Sequence, residues 1–454
     1  MLRQNKKIMY NKAMKKLSES NHMKIPWKNY AQNDADVLIS QASLVAKAAI
    51  IGRLGLELLS CGTGAWRVRS SLNRISKSLG VVCSFDIGLM TISFNCFDGT
   101  KNISQSLSLS NTGVNTYKLY ALEKFVKKFA KERSNMTCAD FHKKLDEFGK
   151  ITTQYSIPIL GLASAVACCG FTFLLGGGLW EMLLAFIGAG IGNMIRNILI
   201  RRKYTLFMNV AISVSAACFS YAVLFRILHI LFNIGDVHQS GYICAILFII
   251  PGFPFITSGI DLAKLDLRSG IERLTYAVII ILVATLSAWV MALILNLKPI
   301  DFEVIEIEFW QKIIFRLIAS FFGVFGFSIM FNSPLKLAAT ASCIGSVANT
   351  LRLELVDLCN FPPALAAFCG AFTAGLLASL LKRKIGYPRI SITVPSIVIM
   401  VPGLYFYKGI YNLGIMSLSE SASWLSAAIL IAFSLPLGLV SARILTDRSF
   451  RHAS

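Results

Sequence analysis

Two short stretches carry the polar groups best placed for chemistry in an apolar chain. One is Pro251-Gly252, followed by Thr257, Ser258 and Asp261; the other is Pro402-Gly403, followed by Tyr405, Tyr407 and Lys408. They hold the chain's two Pro-Gly dipeptides, 151 positions apart, each inside an apolar run long enough to cross a bilayer. Proline removes a backbone donor and clashes with the preceding turn, and glycine tolerates the unwound backbone that results. Hydrocarbon cannot satisfy freed backbone groups, so such a break persists only where protein or a polar cavity covers it. Beyond each break a new half-helix begins, and its N–H groups and positive dipole end suit a carboxylate. Thr257 and Ser258 add hydroxyls. Asp261 offers a site for a proton or an ammonium group, and reads equally well as a charge at the inner membrane face. Lys408 offers a partner for a substrate anion, or snorkels to the outer surface.

Four more polar residues fall within apolar runs, where ionisable groups are functional suspects by default. Asn193 and Asn349 either line a cavity or hydrogen-bond neighbouring helices. Arg196 is close enough to the inner face to snorkel, and Arg226 with His229 reads as an interface anchor. The expected substrate-binding set is therefore Pro251, Gly252, Thr257, Ser258, Pro402, Gly403, Tyr405, Tyr407, Asn193 and Asn349. Asp261 and Lys408 are the expected proton-coupling residues. No metal or cofactor site is expected.

The elements that must position these residues are membrane helices. The chain has 454 residues, of which 55% are hydrophobic and 15% charged, and its mean hydropathy is +0.62. Soluble domains carry about 25% charged residues. The apolar excess is confined to residues 155–445, where about twenty apolar residues per helix give ten spans: 156–175, 179–200, 205–229, 240–261, 274–297, 309–331, 335–353, 361–381, 389–410 and 421–443. The loops assigned to one side carry Arg201-Arg202-Lys203, Lys264, Arg268, Arg273, Lys336, Lys382-Arg383-Lys384, Arg389, Arg443, Arg448 and Arg451. Those on the other side carry Asp236, Asp301, Glu303, Glu306, Glu308, Asp357 and Glu420, with Lys298 and Arg352 dissenting. The positive-inside rule then places both termini on the cytoplasmic side, and the expected location is the plasma membrane (cell inner membrane).

The two sets of five spans echo one another. Gly170-Phe171-Thr172 matches Gly326-Phe327-Ser328, and Gly192-Asn193 matches Gly345-Ser346, at offsets of 156 and 153. Five is odd, so the second set must enter the membrane from the opposite side: an inverted-topology repeat, with a broken helix fourth in each half. The expected fold is a mainly α membrane protein of ten helices arranged five plus five. The expected parts are a disordered basic tail over 1–30, a small cytosolic α+β domain over 31–150, and repeats over 151–300 and 301–454.

In the first part, apolar residues at helical spacing from Val37 to Leu58 predict a helix capped by Asp34. A second helix follows over about Ala65–Leu79, then about three strands between Val81 and Ser110, then helices near Tyr117–Arg133 and Cys138–Lys150. Gly62 and Gly64 beside Arg67 and Arg69 could cradle an anion, though a tight turn with a solvated basic face is the simpler reading, since no phosphate-loop motif is present. The formal charge is +21. The cations sit in the first third and on one side of the spans, which argues against nucleic acid. The eleven cysteines form no C-x-x-C pair and read as small hydrophobes.

Several motifs together resemble the threonine/serine exporter family, over about residues 35–440. They are Trp66-Arg67-Val68 and Asn73-Arg74-Ile75, Pro251-Gly252 with Thr257 to Asp261, Phe331-Asn332-Ser333-Pro334, Val394-Pro395, and Val401-Pro402-Gly403-Leu404 with Gly409. The resemblance implies a cytosolic N-terminal region followed by ten spans, and export of a small polar carboxylate or amino acid such as threonine or serine. Relatives associated with dicarboxylate export make a succinate-like substrate the alternative. A membrane-anchored enzyme or sensor acting through the N-terminal domain is a further alternative, but no nucleophile–base pair there supports catalysis. The expected partners are the substrate, protons and the bilayer, with homo-oligomerisation left open.

Overall fold

The computed structural model describes Ile25, Trp27 and residues 34–132, 136–303 and 306–451; the described side chains exclude those of 130–132, 382–385 and 449. Nearly all of the basic tail, and the side chains of Lys382-Arg383-Lys384, lie outside the described residues. The chain divides into two compact units, residues 1–113 with 121–152, and residues 114–120 with 153–454.

The first unit is an α+β fold. Helix α1 spans Leu44–Leu59 and α2 spans Ala65–Ser78. Strands β1 (Val82–Ile87), β2 (Thr91–Phe97) and β3 (Asn102–Ser108) form an antiparallel meander in the order β1-β2-β3. Residues 121–132 of helix α3 (Thr116–Glu132) and helix α4 (Cys138–Gly149) follow. The alternation of β2 turns Ile92, Phe94 and Cys96 inward, and α1 approaches that face through glycines. A Cβ on Gly55 would lie 2.8 Å from Ile92, and one on Gly52 would lie 2.6 Å from Leu107.

Two details differ from expectation. Helix α1 starts at Leu44 rather than near Val37, because Ser43 is its N-cap and accepts from Ala46 N at 3.3 Å; Asp34 instead receives the Ser43 hydroxyl. Arg67 is not on a solvated face: it is bonded to buried Glu123 at 2.6 Å, and Gly62-Thr63-Gly64 is a turn between helices, with Gly62 at φ +75°.

The second unit is helical. Helix α5 spans Ile157–Leu174, α6 Leu179–Arg201 and α7 Leu206–Phe232. A bent pair follows: a 3-10 turn over Asp236–Gly241, α8 (Tyr242–Ala245) and a second 3-10 turn over Leu247–Ile249, then α9 (Gly252–Ala263). Helix α10 spans Leu267–Leu295. The series then recurs as α11 (Phe309–Met330), α12 (Leu335–Asp357) and α13 (Pro363–Ile385). Next come α14 (Arg389–Ile397) with a 3-10 turn over Val398–Met400, α15 (Gly403–Gly414), α16 (Leu418–Thr446) and the short α17 (Arg448–Arg451).

Among the described residues, seven helices are long and apolar enough to cross a membrane, or nine if each bent pair is one span. The bends are 55° and 44°. Helix α12 is not among these candidates; it carries Lys336, Arg352, Glu354 and Asp357. Large apolar side chains such as Leu162, Phe207, Phe219, Ile230 and Leu430 stand exposed along the helices, a surface suited to lipid rather than water.

The span boundaries move for a physical reason. Arg273, expected in a loop, lies inside α10 and is 1% exposed. Asp357, also expected in a loop, belongs to α12. Hydropathy ends a span at a charge, whereas Arg273, paired with Asp261, and Asp357, paired with Lys312 and Arg316, continue their helices.

Candidate functional site

Both bends fall at Pro-Gly, and the backbone is nearly the same at each. Pro251 has φ −81°, ψ 57° and Pro402 has φ −80°, ψ 56°. In each case the glycine N–H turns back to the residue before proline: Gly252 N to Ile250 O and Gly403 N to Val401 O, both 2.8 Å. Each half-helix has 12 residues and ends in a turn with a left-handed non-glycine residue, Leu265 at φ +60° and Met416 at φ +64°. Bulky residues adopt that conformation rarely, so the shared turn is a specific device. Each turn leads into a 29-residue helix.

The breaks pack on each other reciprocally. A Cβ on Gly252 would meet Val398 at 2.5 Å and Val401 at 3.2 Å. A Cβ on Gly403 would meet Ile250 and Leu247, both at 3.0 Å. Leu247 and Val398, like Ile250 and Val401, are 151 positions apart. The first helices behave the same way at an offset of 156: Gly170 abuts the Ala319 carbonyl and Gly326 abuts the Ala163 carbonyl. Phe171 and Phe327 meet edge to face at 6.0 Å. A small space at the crossing is lined by Phe171, Leu247, Ile250, Phe327, Val398, Val401 and Gly403, all apolar apart from backbone.

The predicted side chains are not gathered in that space. Thr257 donates to Phe253 O at 2.9 Å and Ser258 to Phe255 O at 2.7 Å, both buried on their own helix. Asp261 is fully buried. Its Oδ2 accepts from Ser269 at 2.9 Å and lies 3.2 Å from Arg273 Nε. Lys408 bonds Asp301 at 2.5 Å and lies 4.6 Å from the Trp424 ring centroid, and Tyr405 packs edge-on to the same ring. Asp261 and Lys408 thus belong to separate ion pairs. Tyr407 does bridge the halves: its hydroxyl is 2.6 Å from that of Tyr242, with both side chains buried. Asn193 donates to Leu160 O at 2.7 Å and Asn349 to Ser320 at 2.9 Å. Arg226 donates to Leu295 O at 2.8 Å.

The helix bounds relate α6 and α12 by a different offset from the sequence echo. Helices α6 and α12 each have 23 residues, and the offset of 156 that relates their starts pairs Asn193 with Asn349, not with Ser346. Asn193 ties α6 to α5, and Asn349 ties α12 to α11.

Several buried polar residues escaped the sequence reading. Glu181, in the first turn of α6, is 2.6 Å from His238 Nδ1, and Tyr221 donates to His238 O at 2.6 Å. Arg316 pairs with Glu354 at 2.7 Å and Asp357 at 2.6 Å. Glu181 was visible as a carboxylate within an apolar run. The partners of Arg316 were not, since they lie 38 and 41 residues away.

Comparison with known proteins places the chain in a family. Residues 49–296 match the threonine/serine exporter family model ThrE, and residues 316–445 match a second model, described as "Threonine/Serine exporter, ThrE". Pheromone-regulated membrane protein 10 of Debaryomyces hansenii is 22% identical over 417 residues, covering 86% of this chain and 38% of that protein. An uncharacterized protein of Haemophilus influenzae is 29% identical over 109 residues, 23% of this chain and 35% of that one. The chain therefore spans little more than a third of the length of these curated relatives. No solved structure matches. With one family model covering more than half of its length and a second covering most of the remainder of the helical unit, the chain belongs to the threonine/serine exporter family of membrane transporters.

Proposed function

We propose that the chain is a secondary transporter that exports a small polar carboxylate or amino acid, threonine or serine being the first candidates. In this reading residues 151–300 and 301–454 are inverted repeats of five spans. The first unit is cytosolic, both termini face the cytoplasm of the plasma membrane, and alternating access rocks one repeat against the other. Protons supply the coupling, with Asp261 and Lys408 as the carriers to test first, and Thr257, Ser258, Tyr405 and Tyr407 stand near the breaks to meet substrate.

The observation that carries the reading is the reciprocal packing of the two Pro-Gly breaks. Leu247 and Ile250 press on Gly403 while Val398 and Val401 press on Gly252. A hydrophilic solute crossing here must part these apolar pairs, which links passage to movement between the halves. A succinate-like substrate is the alternative within the same mechanism.

The test is transport by the purified chain in proteoliposomes, with L-threonine, L-serine and succinate offered separately. Accumulation of one of them against its gradient, abolished by a protonophore, is the expected result. Downhill leak alone, unaffected by the protonophore, would mean a channel and not a coupled carrier.

A further inference from the structure

The geometry points to Arg196 and Arg352 as a matched pair of carboxylate-binding posts, one serving each side of the membrane. The inference rests on the exporter reading and deepens it, since it names the group that recognises the substrate anion.

The two arginines are counterparts. Each is the eighteenth residue of its 23-residue helix, and each follows an asparagine by three positions in the pattern Asn-x-x-Arg. Each also stands beside the 3-10 turn that precedes a Pro-Gly break. Arg196 Nη1 points to the Phe248 carbonyl, at 3.4 Å, in the turn Leu247–Ile249. The Cβ of Arg352 and the sulfur of Met400, in the turn Val398–Met400, converge on Gly370, 3.1 and 3.2 Å from where its Cβ would be.

Charge separates these two from Arg273 and Arg316. Arg273 is matched by Asp261, and Arg316 by Glu354 and Asp357. Among the described residues, Arg196 and Arg352 have no acid within ion-pair distance, and the Nε of Arg352 is buried without a hydrogen-bond partner. Both residues are half-buried, and a cation within a membrane span that lacks a counter-ion is costly; such groups mark ion and substrate paths. A guanidinium presents a planar fork that takes a carboxylate through two parallel hydrogen bonds. A substrate carboxylate would supply both the missing counter-ion and the missing acceptor.

Sidedness follows from the repeat. Helix α6 runs inward and α12 outward in the proposed topology, so the same helical position lies toward the cytoplasm in one and toward the exterior in the other. Arg196 is the inner post and Arg352 the outer.

The experiment uses the full chain in proteoliposomes, with exchange of L-threonine, L-serine and succinate measured from each face. Arg352→Gln is expected to raise the half-saturating concentration at the outer face at least tenfold and leave the inner face within about twofold. Arg196→Gln is expected to do the reverse, and Arg→Lys to restore part of each loss. Thermal stabilisation of the detergent-solubilised chain by the transported solute provides a readout independent of flux, and threoninol, which lacks the carboxylate, should give none. Equal effects of either variant at both faces, or none, would overturn the pairing, as would wild-type stabilisation by threoninol matching that by threonine. Should the Gln variants fail to fold, the Lys variants carry the same comparison. A wild type that moves none of the three solutes removes the exporter reading itself, and this inference with it.

Discussion

Phe255 and Phe406 stack on one another, with ring centroids 5.9 Å apart and planes 27° apart. They are 151 positions apart, the fourth residue of each half-helix that follows a Pro-Gly break. A residue that meets its own counterpart sits where an axis relating two copies would pass. Phe171 and Phe327 meet in the same way between α5 and α11. Both of these contacts join like with like, as contacts at a twofold axis do.

The glycines at the interface of the first helices should be intolerant of any side chain. A Cβ on Gly326 would stand 2.2 Å from the Ala163 carbonyl, and one on Gly170 would stand 2.6 Å from the Ala319 carbonyl. Backbone cannot rotate away as a side chain can. Gly326→Ala and Gly170→Ala are each expected to cost about 1–3 kcal/mol through overpacking. Thermal denaturation in detergent checks this, and a midpoint unchanged in both variants would contradict the close approach.

Asp261 and Arg273 should behave as a unit. Asp261→Asn leaves a buried guanidinium without its charge partner, a change worth about 3–5 kcal/mol. The double variant Asp261→Asn with Arg273→Met is expected to recover most of that stability. If Asp261 carries the coupling proton, the double variant folds yet transports without pH dependence. Normal export with an unaltered pH profile in the double variant would remove Asp261 from the coupling scheme.

The Tyr242–Tyr407 hydroxyl pair predicts non-additivity. Either single Tyr→Phe change strands one buried hydroxyl and should cost about 1–3 kcal/mol, whereas removing both is expected to be close to neutral. A double-mutant cycle on thermal stability measures the coupling, and strict additivity would show that the pair contributes little.

In the first unit, His142 is held neutral. Burial and the adjacent Arg53 guanidinium push its pKa down to about 4, against the pull of Asp146. The unfolded chain therefore binds a proton that the folded unit refuses. Stability contributed by this neutral state is present above about pH 6.5 and declines as pH falls toward 4, by at most about 3 kcal/mol. Amide exchange across α1 and α4 in the intact chain should accelerate over that window, and His142→Phe should flatten the response. The same acceleration in the variant would assign it to another group.

How far the sequence foretells this structure depends on the kind of signal. The breaks were legible because proline and glycine act locally, and the three strands because their alternation is local too. The start of α1 was misjudged, since Ser43 and Asp34 both offer caps and only the fold chooses between them. The register between α6 and α12 slipped by three residues, because small residues on packed helices recur at nearly that spacing, so Gly345-Ser346 imitates Gly192-Asn193. The partners of Asp261, Lys408 and Arg316 were not legible at all. Lys408 meets Asp301 from 107 positions away, and no local pattern encodes such a meeting.

The inverted relation of the two halves is tested most directly by the turns that end their broken spans. Leu265 and Met416 occupy equivalent left-handed positions and are 77% and 83% exposed. Each is replaced by cysteine in a background lacking the exposed Cys343 and Cys359, and intact cells and inverted vesicles are treated with a membrane-impermeant maleimide. Labelling of Leu265→Cys from the cytoplasmic face alone, and of Met416→Cys from the outer face alone, is the predicted result. Labelling of both positions from one and the same face would contradict it.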